Sequence, residues 1–314
     1  MRAIARRRSY DRWLIGTIVI ALVFAVTLAA PTRAEAEEPR PVPASMASLG
    51  DSITRGFNAC GWFFDCTSRS WSTGANDGVT SHYERLQAID PTMSSRTNLA
   101  RSGAKMNELP GQAQGAVDRQ VGYVTILMGA NDACTSSEST MTPVADFEAS
   151  VTDAFEILAG AAAAPAVLVS SIPDIYRLWE VGKDSSSARS AWSTYGICQS
   201  MLANPTSTAD ADIERRARVR QRVMDYNAVL VSICAQHDFC TDDANAVFEF
   251  PFERSHLSSW DYFHPNTSGQ NVLAEVSWVN GFDWAMPSSD AGNGGGKGGG
   301  NGGGNGGGKG GGKP

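Results

Sequence analysis

The chain has 314 residues, 42% of them hydrophobic and 19% charged, which suits one ordinary core with appendages rather than a fibrous, disordered or multi-span membrane protein. Its 26 Lys and Arg against 33 Asp and Glu give a formal charge of −7, and three of the five lysines (Lys297, Lys309, Lys313) sit at the far end. A body this acidic excludes nucleic acid as a partner and mostly serves solubility.

The chain opens on Arg2, Arg6, Arg7, Arg8 and Arg12, then an apolar run from Leu14 to Ala30, then Ala34-Glu35-Ala36. A basic head, an apolar stretch and a small-x-small site are the parts of a signal peptide over residues 1–36. The competing reading is an uncleaved anchor through residues 14–30, a run of about 17 residues that is near the lower limit for spanning a bilayer. The Arg pair before Ser9 and Tyr10 also fits a twin-arginine export signal. Cleavage would remove six Arg and two acids and leave a charge of −11.

Ala44, Met46, Ala47 and Leu49 read as a small buried strand, after which Gly50 turns the backbone and leaves Ser52 at the strand's exit. Val79, Tyr83, Leu86 and Ile89 fall on one helical face over 78–89, and a short strand follows near Thr97 to Ala100. Met106 to Val117 reads as an irregular helix. Val121 to Met128 is the clearest buried strand and ends at Gly129. A helix is expected over 143–163, with Pro143 in its first turn and Val144, Phe147, Val151, Phe155 and Leu158 inward. Ala166 to Ile172 is another buried strand.

Residues 173–209 are rich in Ser, contain Trp and show no steady period, so they are expected as a structureless run that is either functional or a covering lid. The longest helix is expected over 211–236. Its Arg215, Arg216, Arg218, Arg220 and Arg222 alternate with apolar residues and read as a solvated face. A last strand is expected near Ala246 to Phe248, then an aromatic-rich loop, then a closing helix from Thr267 to Val279. Residues 286–314, almost all Gly from Gly292 on, cannot bury enough surface to offset their backbone entropy and form a flexible tail. Strands alternating with helices predict one domain over 44–285, an α/β fold: a three-layer α/β/α sandwich with a parallel sheet of about five strands.

Six cysteines in an exported chain suggest disulfides, with 15 connectivities open. The expected pattern pairs Cys60 with Cys66 and Cys234 with Cys240 in short local loops, leaving Cys134 and Cys198 to bridge the fold. No Cys-x-x-Cys or His-Glu-x-x-His occurs, so neither a metal nor a cofactor is indicated.

Ester hydrolysis needs a nucleophile, a base, a group to orient the base and donors for the developing oxyanion. Ser52 is the nucleophile candidate. In Trp260-Asp261-Tyr262-Phe263-His264-Pro265, one turn brings the Asp261 carboxylate to the ring of His264, which makes a base and its orienter. Gly103 and Asn131 each follow a predicted strand, so their loops share the sheet's carboxyl edge with Ser52. The N–H groups of Ser52 and Gly103 with the side-chain amide of Asn131 would form the oxyanion hole. Taken one by one, each residue has a plainer reading: Ser52 as a turn cap, Asn131 as a loop residue tolerant of positive φ, His264 as a surface histidine. His256, three residues after Glu253, is the nearest rival base. Gly-x-Ser-x-Gly is absent, which rules out an α/β-hydrolase elbow.

The order Gly50-Asp51-Ser52, Gly103, Gly129-x-Asn131-Asp132 and Asp261-x-x-His264 resembles the four-block pattern of the SGNH, or GDSL-type, esterases and lipases. The resemblance covers about residues 44–283. It implies a flavodoxin-like sheet and a serine hydrolase of esters, with Ser52, Gly103, Asn131 and His264 in the four named roles and Asp261 completing the triad. Cys134 close after the third block, and the Asp-x-Phe-His-Pro ending, are most similar to the secreted lipase and phospholipase B-like branches. The expectation is thus a secreted monomer acting on a small-molecule or lipid ester, with transient contact to a lipid surface. Trp62, Phe63, Phe64, Phe248, Phe250, Phe252, Trp260, Tyr262 and Phe263 are expected either to wall an acyl pocket or to pack the core beneath the loops. Rival readings are a carbohydrate or cell-wall O-acyl esterase and a non-catalytic surface protein.

Overall fold

Tyr123 to Leu127 is buried at every position, as a strand covered on both faces must be, and it forms the middle of the sheet. The computed structural model describes residues 39–285; the expected signal peptide and Gly-rich tail lie outside the described residues. Five strands, β1 (Ser45–Gly50), β2 (Ser95–Asn98), β3 (Tyr123–Leu127), β4 (Ala166–Val169) and β5 (Cys240–Asp242), pair in the order β2-β1-β3-β4-β5, all parallel. This is the flavodoxin-like order, in which the strand succession reverses beside β1 and ligands collect at the carboxyl ends. A two-residue parallel ladder joins Arg40–Pro41 to Trp284–Ala285.

Side chains alternate across the sheet. Met46, Tyr123 and Leu168 point to one face, where Tyr83 and Leu86 of α1 (His82–Ile89) and Trp278 of the last helix meet them. Ala47, Val124 and Val167 point to the other, against α2 (Leu109–Asp118), α3 (Val144–Ala159) and the long helix that precedes β5. Apolar residues at helical spacing, such as Phe147, Val151, Phe155 and Leu158 of α3, make that second layer.

Residues 173–209 differ from expectation. They fold into α4 (Ile175–Gly182), α5 (Ser186–Thr194) and a single turn, Gln199–Leu202. Asp174 caps α4 by accepting the Tyr176 N–H and Ser185 caps α5 by accepting the Ala188 N–H, while Trp179 and Trp192 bury against the core. In α4, Ile175, Leu178 and Trp179 fall on one helical face, a short period masked by the irregular sequence around it, whereas the Ser-rich α5 is anchored by Trp192. The Cys134–Cys198 disulfide ties this segment to the turn after β3 across 64 residues, a closure worth about 4 kcal/mol in the chain-entropy model. Cys60–Cys66 and Cys234–Cys240 close the two local loops.

The arginine row of α6 (Asp210–Cys234) is a solvated face only in part: Arg218 and Arg220 are exposed, while Arg215, Arg216 and Arg222 turn inward. Arg216 is buried, with its guanidinium 4.4 Å from the ring centre of Trp179 and a hydrogen bond to the Ser207 carbonyl. Arg215 donates to the carbonyls of Ser200 and Ala203, Arg222 to that of Thr142, Arg218 pairs with Glu138 and Arg220 with Asp174. These side chains clamp the covering helices and the loop before α3. The expected strand at Ala246–Phe248 is instead a helical turn, Ala246–Glu249, since the Asp243 carboxylate accepts the Val247 N–H and starts a turn there. The fifth strand lies earlier, at half-buried Cys240–Asp242, whose three edge residues carry no apolar run. Helix α7 (Thr267–Val279) closes the domain.

Candidate active site

Ser52 follows β1 through a turn that Gly50 makes at φ +149°, where a Cβ would meet the Leu127 carbonyl oxygen at 2.3 Å. Gln112 of α2 holds that turn from the side, its Oε1 accepting the Gly50 N–H at 2.7 Å and its Nε2 donating to the Gly50 carbonyl at 2.9 Å. The side-chain amide thus completes the strand end as another peptide would.

His264 lies after the turn that Asp261 organises. Asp261 Oδ1 accepts the N–H groups of Phe263 and His264 at 2.9 and 3.1 Å, so the i to i+3 spacing is fixed by the backbone. Its Oδ2 accepts from His264 Nδ1 at 2.6 Å, and His264 Nε2 is 2.8 Å from Ser52 Oγ. An acceptor at Nδ1 selects the tautomer with its proton there, which leaves Nε2 free to take the Ser52 proton. Burial alone would raise the Asp261 carboxyl, but the hydrogen bond and charge of His264 and the two N–H donors outweigh it and hold the group below its ordinary value.

The donors meet at the same place. Ser52, Gly103, Asn131 and His264 line one groove of about 260 Å³ together with Phe57, Phe263, Ile197 and the Cys134–Cys198 disulfide. Among the described residues the backbone N–H groups of Ser52 and Gly103 have no protein acceptor. Gly103 sits at φ +82° with open space where a Cβ would project. Asn131 gives one amide hydrogen to the Ala104 carbonyl at 2.9 Å, which leaves its second hydrogen available. Its neighbour Asp132 accepts the Met106 N–H at 2.9 Å and the Thr142 hydroxyl at 2.7 Å, locking the Asn131 turn to the segment after Gly103. Burial raises the Asp132 carboxyl.

Asn58 and Phe57 carry no sequence signal, and Asp51 belongs to the first block of the sequence pattern without a role assigned to it there. Asn58 donates to Asp261 Oδ2 at 2.7 Å across 203 positions and accepts the Phe63 N–H, joining the orienting carboxylate to the Cys60–Cys66 loop. Phe57 packs on His264 with ring centres 4.8 Å apart. Asp51, fully buried behind Ser52, accepts the Ile53 N–H on Oδ1 and has no partner on Oδ2. Burial pushes its carboxyl up to about 7 against that hydrogen bond and the pull of His264, with Asp132 adding to the rise.

The rival base His256 lies elsewhere, as does His237. His256 accepts the Glu253 backbone N–H on Nδ1, and His237 stacks beside Phe155 and Phe239. The aromatic residues divide between the two expectations. Trp62, Phe63, Phe64 and Trp260 are exposed, whereas Phe248, Phe252, Tyr262 and Phe263 pack against the core and Phe250 meets Phe252 and His256. Among the described residues no group of three His, Cys, Asp or Glu is placed to hold a metal ion.

The family model for GDSL-like lipase/acylhydrolase matches residues 46–276. A search of curated protein sequences finds no match. Solved structures with a similar course include an extracellular lipase from Streptomyces rimosus, 20% identical, with a TM-score of 0.45 over 75% of this chain and 99% of that one. The psychrotrophic esterase EstA from Pseudoalteromonas sp. is 13% identical, with a TM-score of 0.44 over 76% and 96% of the two chains. A family 3 carbohydrate esterase from Clostridium thermocellum is 12% identical, with a TM-score of 0.42 over 75% and 94%.

Proposed function

The chain belongs to the GDSL-like lipase/acylhydrolase family and is a serine ester hydrolase, and from that premise we propose that Ser52, His264 and Asp261 are its catalytic triad. The observation that carries the proposal is the continuous hydrogen-bonded line from Asp261 Oδ2 through His264 to Ser52 Oγ, at 2.6 and 2.8 Å. Ser52 Oγ attacks the ester carbonyl as His264 Nε2 takes its proton. The oxyanion is received by the N–H groups of Ser52 and Gly103 and the free amide hydrogen of Asn131. His264 then protonates the leaving alcohol, and a water molecule, deprotonated by the same ring, releases the acyl group from Ser52.

A groove of about 260 Å³, lined in part by Ile197 and the Cys134–Cys198 bridge, supports a short acyl chain. A lipid ester is the second reading, favoured by the exposed rings of Trp62, Phe63, Phe64, Tyr195 and Trp260 beside the groove. Export is part of the proposal. Three disulfides fit an oxidising compartment, and no helix among the described residues is long and apolar enough to cross a membrane. A series of 4-nitrophenyl esters from acetyl to palmitoyl tests the acyl preference: kcat/KM is expected to be at least tenfold higher for acetyl or butyryl than for palmitoyl. A preference for palmitoyl would favour the lipid reading.

A further inference from the structure

Beside the groove lies a second depression of about 560 Å³, within the roughly 300–1,000 Å³ of ordinary ligand sites. One wall is α5, with Ser190 and Thr194; the other is the turn ahead of His264, with Ser259, Trp260 and Tyr262; Tyr195 stands between them. Two stretches of chain run from this trough into the groove. Tyr195 leads through Gly196 to Ile197, and Tyr262 leads to Phe263 and His264, all three end points lining the groove beside Ser52. The far rim joins the Cys60–Cys66 loop, with Tyr195 4.9 Å from Phe63 and Trp260 6.1 Å from Trp62 between ring centres.

The lining has a definite chemistry. No charged side chain lines the trough. Trp260 and Tyr195 are 49% and 51% exposed, so each presents apolar surface to water that a bound ligand would cover. Among the described residues the hydroxyls of Ser190, Thr194 and Ser259 and the indole N–H of Trp260 have no protein hydrogen-bond partner. Aromatic faces beside unpaired hydroxyls suit a ligand with apolar C–H faces and hydroxyl edges, that is, a sugar ring. A phosphate headgroup would find no guanidinium or ammonium here, and an acyl chain would leave the hydroxyls facing hydrocarbon.

We propose that this trough is the alcohol-side subsite and that it binds a neutral glycan whose O-acyl group reaches Ser52, an inference that rests on the serine-esterase reading above. The balance is simple. The bond between the acyl carbon and the sugar oxygen breaks, that oxygen takes the proton from His264, and water supplies the oxygen and proton of the released acid.

The test compares kcat/KM on acetylated neutral oligosaccharides of xylose, glucose and galactose with that on 4-nitrophenyl acetate, using the full chain. Trp260→Ala should lower the ratio of the best glycan ester to the nitrophenyl ester at least tenfold, chiefly through KM. Trp260→Phe, which keeps a ring, should retain most of it. A Ser52→Ala protein should show saturable quenching of tryptophan fluorescence by the same oligosaccharide, lost in the double variant with Trp260→Ala. A ratio unmoved by Trp260→Ala, with 4-nitrophenyl acetate still cleaved, overturns the subsite alone. So does saturable binding to phosphatidylcholine vesicles that Trp260→Ala weakens while the glycan ratio stays put. A wild-type protein that cleaves neither ester overturns the esterase reading itself.

Discussion

Two histidines in this protein each stand between a serine and a second oxygen, and only one is placed for chemistry. His264 has Asp261 Oδ2 at 2.6 Å on Nδ1 and Ser52 Oγ at 2.8 Å on Nε2; His82, on the opposite face of the sheet from α2 and α3, has the Tyr123 hydroxyl and Ser277 Oγ, each at 2.9 Å. The Ser277 hydroxyl gives its hydrogen to the Leu273 carbonyl, so His82 must donate to Ser277 from Nε2 and accept from Tyr123 at Nδ1. That is the reverse tautomer to the one Asp261 selects in His264. His82 is fully buried and its pKa is lowered to about 3 by burial and by the nearby Arg85 charge; burial also keeps Tyr123 neutral. A serine beside a histidine is therefore not a nucleophile until a carboxylate fixes the tautomer, the hydroxyl is otherwise unengaged, and donors wait in an open groove.

Breaking the first pair should have the largest effect. Ser52→Ala is expected to lower kcat for a nitrophenyl ester by on the order of 10⁶-fold and Asp261→Asn by on the order of 10⁴-fold, the latter because it removes the acceptor that selects the tautomer. Steady-state kinetics with matched circular dichroism spectra checks this.

The proposed catalytic side also holds a buried acid that the His82 side lacks, Asp51. Its folded pKa of about 7 lies above the ordinary 3.8, so between those values the folded protein holds a proton that the unfolded chain has lost, and stability from this group falls as pH rises. His82 works in the opposite sense: with a folded pKa of about 3 against 6.5, stability rises with pH over that interval. Asp51→Asn removes the falling contribution. Its stability relative to wild type should grow from near zero around pH 4 to a gain of at most about 4 kcal/mol above pH 7. Urea unfolding at pH 4.5, 6 and 8 reads this directly, and a constant difference would contradict it.

Asn131→Ala should lower kcat by about 10² to 10³, roughly 2.7–4 kcal/mol, with KM little changed if the amide serves the oxyanion. The smallest effect is expected from Ser277→Ala. It leaves the His82 N–H unpaired and should cost about 1–3 kcal/mol in urea unfolding while esterase activity stays at the wild-type level.

The contrast also explains what could be read from the chain. The convergence of Ser52, Gly103, Asn131 and His264 on one groove was legible because each follows a strand or opens a turn, and parallel strands deliver their exits to one edge. Asn58 and Gln112 were not, since their partners lie 203 and 62 positions away and neither carries a local signature. The strand at Cys240–Asp242 was hidden by its edge position, where half-buried Thr241 and Asp242 replace an apolar run. Helix α5 was hidden because Trp192 holds a Ser-rich segment by packing, and α4 because the one-turn spacing of Ile175, Leu178 and Trp179 sits inside an otherwise irregular stretch. Arg216 reads as a surface charge until the ring of Trp179 is seen beneath it.

The most direct test is to treat the full chain with a serine-directed alkyl phosphonate and to locate the adduct by peptide mass. A single adduct on the peptide carrying Ser52, absent from Ser52→Ala and strongly slowed in Asp261→Asn, is the predicted result. An adduct on Ser277 or any other residue, or an active enzyme that the reagent leaves unmodified, would contradict the account.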